Sequence, residues 1–150
     1  SEEERVLHDY LFSVEIWGLY ELSFFSSCSP LLSVQLLTKY TREMLRKSDF
    51  LQGVGKNRNM MHTLLLNGFM ACIEVDDFTN ALYFKKQIEK NFFEENETYF
   101  RIVYLWAEGL LDSKQGRVED GQRKMEDAVR IFEMIGCSKS ADYYRSAIEC

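Results

Sequence analysis

Proline is almost missing from this 150-residue chain, which has only Pro30. Proline interrupts helix interiors and central strands, so its scarcity favours long helices over a fold of short strands and turns. Histidine is nearly as rare. His8 and His62 fall in different segments and do not make the three or four converging ligands that a metal needs. No metal and no cofactor is expected. The four cysteines, Cys28, Cys72, Cys137 and Cys150, are scattered without a Cys-x-x-Cys pair. Disulfide frameworks belong to smaller, denser, secreted chains, so reduced thiols and a cytoplasmic location are expected. Cys150, at the terminus, is still able to oxidise across a dimer. No apolar run reaches the length of a membrane span, and no basic segment precedes an apolar core as in a signal peptide.

The motifs of catalysis are absent as well. There is no GxGxxG, GxxxxGK[ST], HExxH or GxSxG, so nothing cradles a phosphate or exposes a nucleophile. The paired carboxylates Asp76–Asp77 and Glu94–Glu95 fall at helix boundaries, where capping and the helix dipole account for them. Cys72 lies within an apolar segment as a core filler. No catalytic residue is assigned, and the chain is not expected to be an enzyme. Positive charge is also short, with 18 Lys+Arg against 24 Asp+Glu and a net charge of −6. A chain this acidic is poorly suited to gripping a phosphate backbone itself.

Apolar residues are plentiful, at 46% with 14% aromatic. A single domain of this length buries roughly 68–70% of its unfolded surface. Its segments carry helical periodicity. Glu3–Ser13 is amphipathic through Val6, Leu7, Tyr10 and Leu11, and Val14–Phe25 is apolar on nearly every face. Ser29 followed by Pro30 predicts a cap and first turn for a helix over Leu31–Lys47, with Leu32, Leu36, Leu37, Tyr40, Met44 and Leu45 inward. Ser48–Lys56, with Gly53 and Gly55, is the expected connection. Asn57–Val75 reads as a long helix, Asp76 or Asp77 caps the next at Phe78–Phe93, and Ser138 or Ser140 starts a last one.

Tyr99–Ile135 organises the rest. It reads as two helices joined by a tight turn at Lys114–Gln115–Gly116, with small residues at Gly109, Gly121 and Ala128. A helical glycine costs up to about 1 kcal/mol against alanine, so Gly109 and Gly121 imply close packing. These offsets resemble the tetratricopeptide (TPR) hairpin, although Met125 stands where that pattern has an aromatic. Gly68 to Gly109 and Ala81 to Gly121 are 41 and 40 residues apart, longer than the usual repeat, so longer helices are expected. The fold class is all-α: an α-solenoid of TPR-like hairpins with about eight helices, residues 1–150 forming one domain.

A binding surface is the remaining opportunity. On Asn57–Val75, Asn59, Thr63, Asn67, Met70 and Glu74 align on one face. In a solenoid the first helix of each hairpin lines the concave side. Asparagine donates and accepts at once, which suits an extended peptide backbone, and methionine adapts to apolar partners. The next such helix offers Tyr99 and Trp106, the latter equally compatible with the core. Arg58 and Arg101 are placed to meet a peptide carboxylate. The candidate peptide-binding set is Arg58, Asn59, Asn67, Met70, Tyr99, Arg101 and Trp106.

At Glu15–Leu22, EIWGLYEL, the chain resembles the regulatory domain of the Rgg/GadR/MutR transcription regulators, through Trp17, Gly18, Tyr20 and Glu21 of a W-G-x-Y-E run. The Leu31–Lys47 helix, the helix around Asn67 and the FEMIG run Phe132–Gly136 are similar in type and order. The resemblance implies a bacterial cytoplasmic regulator of the peptide-pheromone (RNPP) group. Such regulators join an N-terminal helix-turn-helix to a TPR-like receptor and dimerise through their C-terminal helices. The first residues are Ser-Glu-Glu-Glu rather than Met, so this chain is expected to be the receptor half of a longer protein. The partners implied are a short hydrophobic signalling peptide, a second copy of the chain, and DNA only through the missing domain. The alternative is a TPR-type protein–protein adaptor without a signalling ligand.

Overall fold

The computed structural model describes residues 2–13, 32–48 and 55–149. Among these the chain forms seven helices and no strand: α1 (Glu2–Ser13), α2 (Val34–Ser48), α3 (Gly55–Glu74), α4 (Phe78–Lys90), α5 (Thr98–Lys114), α6 (Val118–Met134) and α7 (Ser138–Glu149). The expected helix Val14–Phe25, the Ser29–Pro30 start and the Trp17–Glu21 run lie outside the described residues. The chain divides into two compact units, Ser1–Gly68 and Phe69–Cys150, with the division inside α3.

In the first unit α2 buries Leu37, Tyr40, Met44 and Leu45, and α3 buries Met61, Leu64, Leu65 and Leu66. The Tyr40 hydroxyl donates to the Glu4 carbonyl at 3.4 Å, which ties α2 to α1. Burial, then the nearby Glu4 and Asp9 charges, push this phenol above its ordinary range. Thr38 and Thr41 are buried without loss because their hydroxyls donate to the carbonyls of Val34 and Leu37. Helix α2 begins at Val34 rather than Leu31. Its first turn is capped by Ser33, whose Oγ accepts from the Leu36 N–H at 3.3 Å, the role that serine plays at a helix start.

The second unit has a regular beat. Helices α4, α5, α6 and α7 begin at 78, 98, 118 and 138, 20 residues apart. Three of the connecting turns close alike: the N–H groups of Asp77, Arg117 and Cys137 donate to the carbonyls of Cys72, Asp112 and Phe132 at 2.8–2.9 Å. Each closure needs one residue at positive φ, supplied by Asp76 (59°), Gly116 (92°) and Gly136 (80°). Glycine takes that conformation freely and aspartate is among the few others that tolerate it. Asp77, not Asp76, caps α4 by accepting from the Asn80 N–H.

The 40-residue interval is therefore two helix-and-turn units. Its extra length comes partly from a loop: α4 ends at Lys90, not Phe93, and residues 91–97 are non-helical. Asn67–Gly68 and Asp120–Gly121, dipeptides that favour hairpin turns, both sit inside helices, because tertiary packing overrides local turn preference.

Helices α5 and α6 cross at their glycines. A Cβ on Gly109 would come within 2.5 Å of the Gly121 carbonyl oxygen, and one on Gly121 would run into the Ser113 side chain and the Gly109 carbonyl. Around this crossing lie Ala107, Leu111, Met125, Ala128, Val129 and Phe132, all buried. One ionic clamp closes the hairpin. Asp112 accepts from Arg117 Nη2 at 2.8 Å and Lys124 Nζ at 2.7 Å.

Burial would raise the Asp112 carboxyl, but the Lys124 and Arg117 hydrogen bonds outweigh it and hold the group below its ordinary range. The unfolded chain then binds more protons in that window. The clamp's stabilisation is whole above the ordinary carboxylate pKa and is lost as pH falls through the lower folded value. Asp112→Asn is expected to lower stability by about 1–2 kcal/mol near neutral pH, with the gap to wild type closing in strong acid, below the lowered carboxyl value. Urea denaturation at the two pH values checks this; an equal gap at both would remove the clamp's charge from the account.

Candidate functional site

Helix α3 buries most of its circumference. Met61, His62, Leu64, Leu65, Leu66, Phe69, Cys72 and Ile73 are all buried. The face that remains is the one expected from its period: Asn59, Asn67 and Glu74 are exposed, with Thr63 and Met70 partly so. Asn67 therefore faces solvent and needs no buried partner. Thr63 donates to the Asn59 carbonyl at 2.9 Å, which leaves the Asn59 amide side chain outside that bond.

Arg58 stands one turn before buried His62, with Nη2 3.4 Å from His62 Nε2. A guanidinium only donates, so Nε2 is the acceptor and the imidazole proton lies on Nδ1. His62 thereby steadies a cation at the start of the polar stripe. The sequence placed His62 simply in an apolar helix; its i, i+4 spacing to Arg58 was the available signal.

The α5 residues divide three ways. Trp106 is 4% exposed and belongs to the core, tilted against Tyr144 with ring centres 5.1 Å apart. Arg101 turns back onto the loop before its helix. Its Nε donates to the Glu94 carbonyl at 3.0 Å, its Nη2 to the Phe93 carbonyl, and its guanidinium lies 5.0 Å from the Phe92 ring centre. These bonds hold residues 93 and 94 against α5, where no helical ladder satisfies their carbonyls. Tyr99 is 49% exposed, the most open of the three.

Two features escaped the sequence reading. The first is a cation held between helices. Lys85 Nζ of α4 donates to the Tyr104 hydroxyl at 3.0 Å and to Glu108 at 3.1 Å on α5, and pairs with Glu89 at 3.2 Å. Burial alone would pull its pKa down, but Tyr104 and Glu108 reverse this and hold the ammonium well above its ordinary value. The same burial raises the Tyr104 phenol, against the Lys85 hydrogen bond that lowers it. Every member has a partner, so the cluster is a strut between helices.

The second is an open cavity of about 360 Å³ lined by Tyr99 of α5 and by Lys139, Ser140, Tyr143 and Tyr144 of α7. Tyr99 and Lys139 are one 40-residue interval apart, and that register was the only signal for it. Burial pushes the Tyr144 phenol far up, and a hydrogen bond with Tyr99 adds to the shift.

No group of His, Cys, Asp and Glu among the described residues is arranged to hold a metal. No helix among them is long and apolar enough to cross a membrane.

A family model described as HTH-type transcriptional regulator Rgg, C-terminal domain, matches residues 1–146. Among solved structures, the chain is similar to the Streptococcus dysgalactiae SHP pheromone receptor Rgg2, at 30% identity and a TM-score of 0.92, over 99% of this chain and 55% of that one. A second crystal structure of that receptor, of a variant, matches at the same identity and TM-score over 54% of its length. A protein of Listeria monocytogenes EGD-e described as a transcriptional regulator shares the fold at 21% identity, with a TM-score of 0.86 over 99% of this chain and 52% of that one. The chain thus spans about half the length of the structures it matches. An all-helical fold with 40-residue hairpin register and a family match across nearly its whole length make this chain a member of the Rgg family of transcriptional regulators, corresponding to their C-terminal domain.

Proposed function

We propose that this chain senses a short hydrophobic peptide and relays its presence to a helix-turn-helix domain elsewhere in the full protein. The observation that carries the reading is the 99% coverage, at a TM-score of 0.92, by a structure described as a pheromone receptor. Helix α3 supplies the physical side. On the part of that helix within the first unit, exposed Asn59 and Asn67 and partly exposed Thr63 offer hydrogen bonds to an extended peptide backbone.

For such a chain to act as a switch, the peptide must bind two packing states with different affinity. A second copy of the chain is the proposed frame for that switch, joined through the C-terminal helices, where Ile131, Met134 and Ile135 are exposed.

The residue-level test is Asn67→Ala, read by fluorescence anisotropy with a labelled apolar octapeptide. Loss of one or two peptide hydrogen bonds, at about 1–1.5 kcal/mol, is expected to weaken binding about tenfold. The thermal midpoint is expected to stay within a degree or two, since Asn67 is exposed. A lowered midpoint with unchanged affinity would make Asn67 structural and remove it from the reading.

A further inference from the structure

The cavity between α5 and α7 has aromatic walls and an exposed lysine. Three tyrosines line it. Tyr143 and Tyr144 meet edge to face with ring centres 4.9 Å apart. Tyr144 is backed by Phe132, stacked at 12° and 5.7 Å, and by Trp106, so that wall is rigid. Tyr99 leans on Phe132 at 5.7 Å. At about 360 Å³ the space lies at the small end of ligand sites, near the size of one side chain rather than a whole peptide.

The charge is equally plain. Lys85, Lys114 and Lys124 are each paired with a carboxylate, whereas Lys139, exposed on the cavity wall, pairs with none among the described residues. Ser140 brings a hydroxyl to the same wall. The first intrahelical bond of α7 runs from the Ala141 N–H to the Cys137 carbonyl at 2.9 Å. The N–H groups of Ser138, Lys139 and Ser140 therefore belong to the first turn, which favours negative charge. Arg101, one of the two arginines expected to meet a peptide carboxylate, is held by the Phe93 and Glu94 carbonyls. On the next hairpin's first helix, Lys139 is the cation without an ion-pair partner among the described residues.

We propose that this cavity receives the C-terminal residue of the sensed peptide, an aromatic ring among Tyr99, Tyr143 and Tyr144 with its free carboxylate on Lys139 and Ser140. The proposal rests on the peptide-sensing reading above. It gives specificity for one end of the ligand: a ring needs the tyrosine walls, and a free terminus needs the lysine. Aromatic rings prefer offset or edge contacts, which three tyrosines at different tilts provide.

The test is nuclear magnetic resonance titration of the labelled chain with N-acetyl-phenylalanine and with N-acetyl-phenylalaninamide, which differ only in the charge. Saturable shifts are expected at the amides of residues 138–144, with the acid binding at least about fivefold tighter than the amide. Lys139→Gln is expected to bring the two to equal affinity. Tyr143→Ala is expected to weaken the acid about fivefold, and neither variant is expected to move the unfolding midpoint because both residues are exposed. Equal binding of acid and amide by the wild-type chain, or no saturable shift at 138–144, would overturn the proposal. If that happens while apolar peptides still bind, the receptor reading stands and the peptide's terminus lies elsewhere. If the acid binds the cavity while no peptide binds the chain, the receptor reading fails and the peptide terminus fails with it as the occupant.

Discussion

Gly121→Leu is expected to lower the stability of the chain by about 3 kcal/mol, at the upper end of the range for overpacking. The cause is backbone, not side chain. Even the first carbon of a substituent at 121 would strike the Gly109 carbonyl and the Ser113 side chain, with the Ser113 backbone N at 2.6 Å. Rotamer changes cannot relieve that, so α5 and α6 must separate along their crossing. Gly121→Ala tests the same contact more gently. Alanine gains up to about 1 kcal/mol in helix propensity over glycine, yet a net loss of about 1–2 kcal/mol is expected because its Cβ meets the same atoms. An exposed neighbour serves as control: Gln122→Leu is expected to change stability by less than about 0.5 kcal/mol. Urea midpoints read all three. A Gly121→Ala midpoint at or above wild type would show that the helices do not cross at this glycine.

Phe132→Ala is expected to cost about 3–5 kcal/mol, the usual loss for a fully buried aromatic. Phe132 is 0% exposed. It stacks on Tyr144 and supports Tyr99, so it joins α6 to both α5 and α7. Its removal leaves a void at the point where three helices meet, and neither neighbouring ring can fill it without leaving its own contacts. For a chain of this length the loss corresponds to a fall of roughly 10 °C or more in the thermal midpoint. Phe132→Leu keeps most of the volume and is expected to cost about 1–2 kcal/mol. Equal midpoints for Phe132→Ala and wild type would mean that α7 is not anchored through this ring.

What the sequence made legible follows from how local each signal is. Gly109 and Gly121 announced a close crossing because a mid-helix glycine is costly without one, and the crossing is there. The solvent face of α3 followed from a 3.6-residue period and matches the exposure of Asn59, Asn67 and Glu74. Gly116 and Gly136 ended their helices as positive φ requires. Signals with two equivalent readings failed. Ser33 caps the described α2, a serine that the apolar period does not single out. Phe92 and Phe93 fit the apolar period of α4, but Arg101 holds their loop from seven or eight residues ahead. That bond belongs to the tertiary arrangement and has no local signature. Trp106 is as apolar as any groove lining, and only its contact with Tyr144, 38 residues on, assigns it to the core. The cavity was hidden for the same reason, since its walls come from two helices separated by a third.

The proposed role of this domain is to bind a short apolar peptide. Isothermal calorimetry of the chain against a panel of apolar octapeptides tests it most directly. At least one is expected to bind saturably at one site, with a negative heat-capacity change from burial of apolar surface, and with affinity reduced about tenfold by Asn67→Ala. A panel without a single saturable binder, beside a folded protein that does bind, would contradict the receptor reading and leave a helical-repeat adaptor in its place.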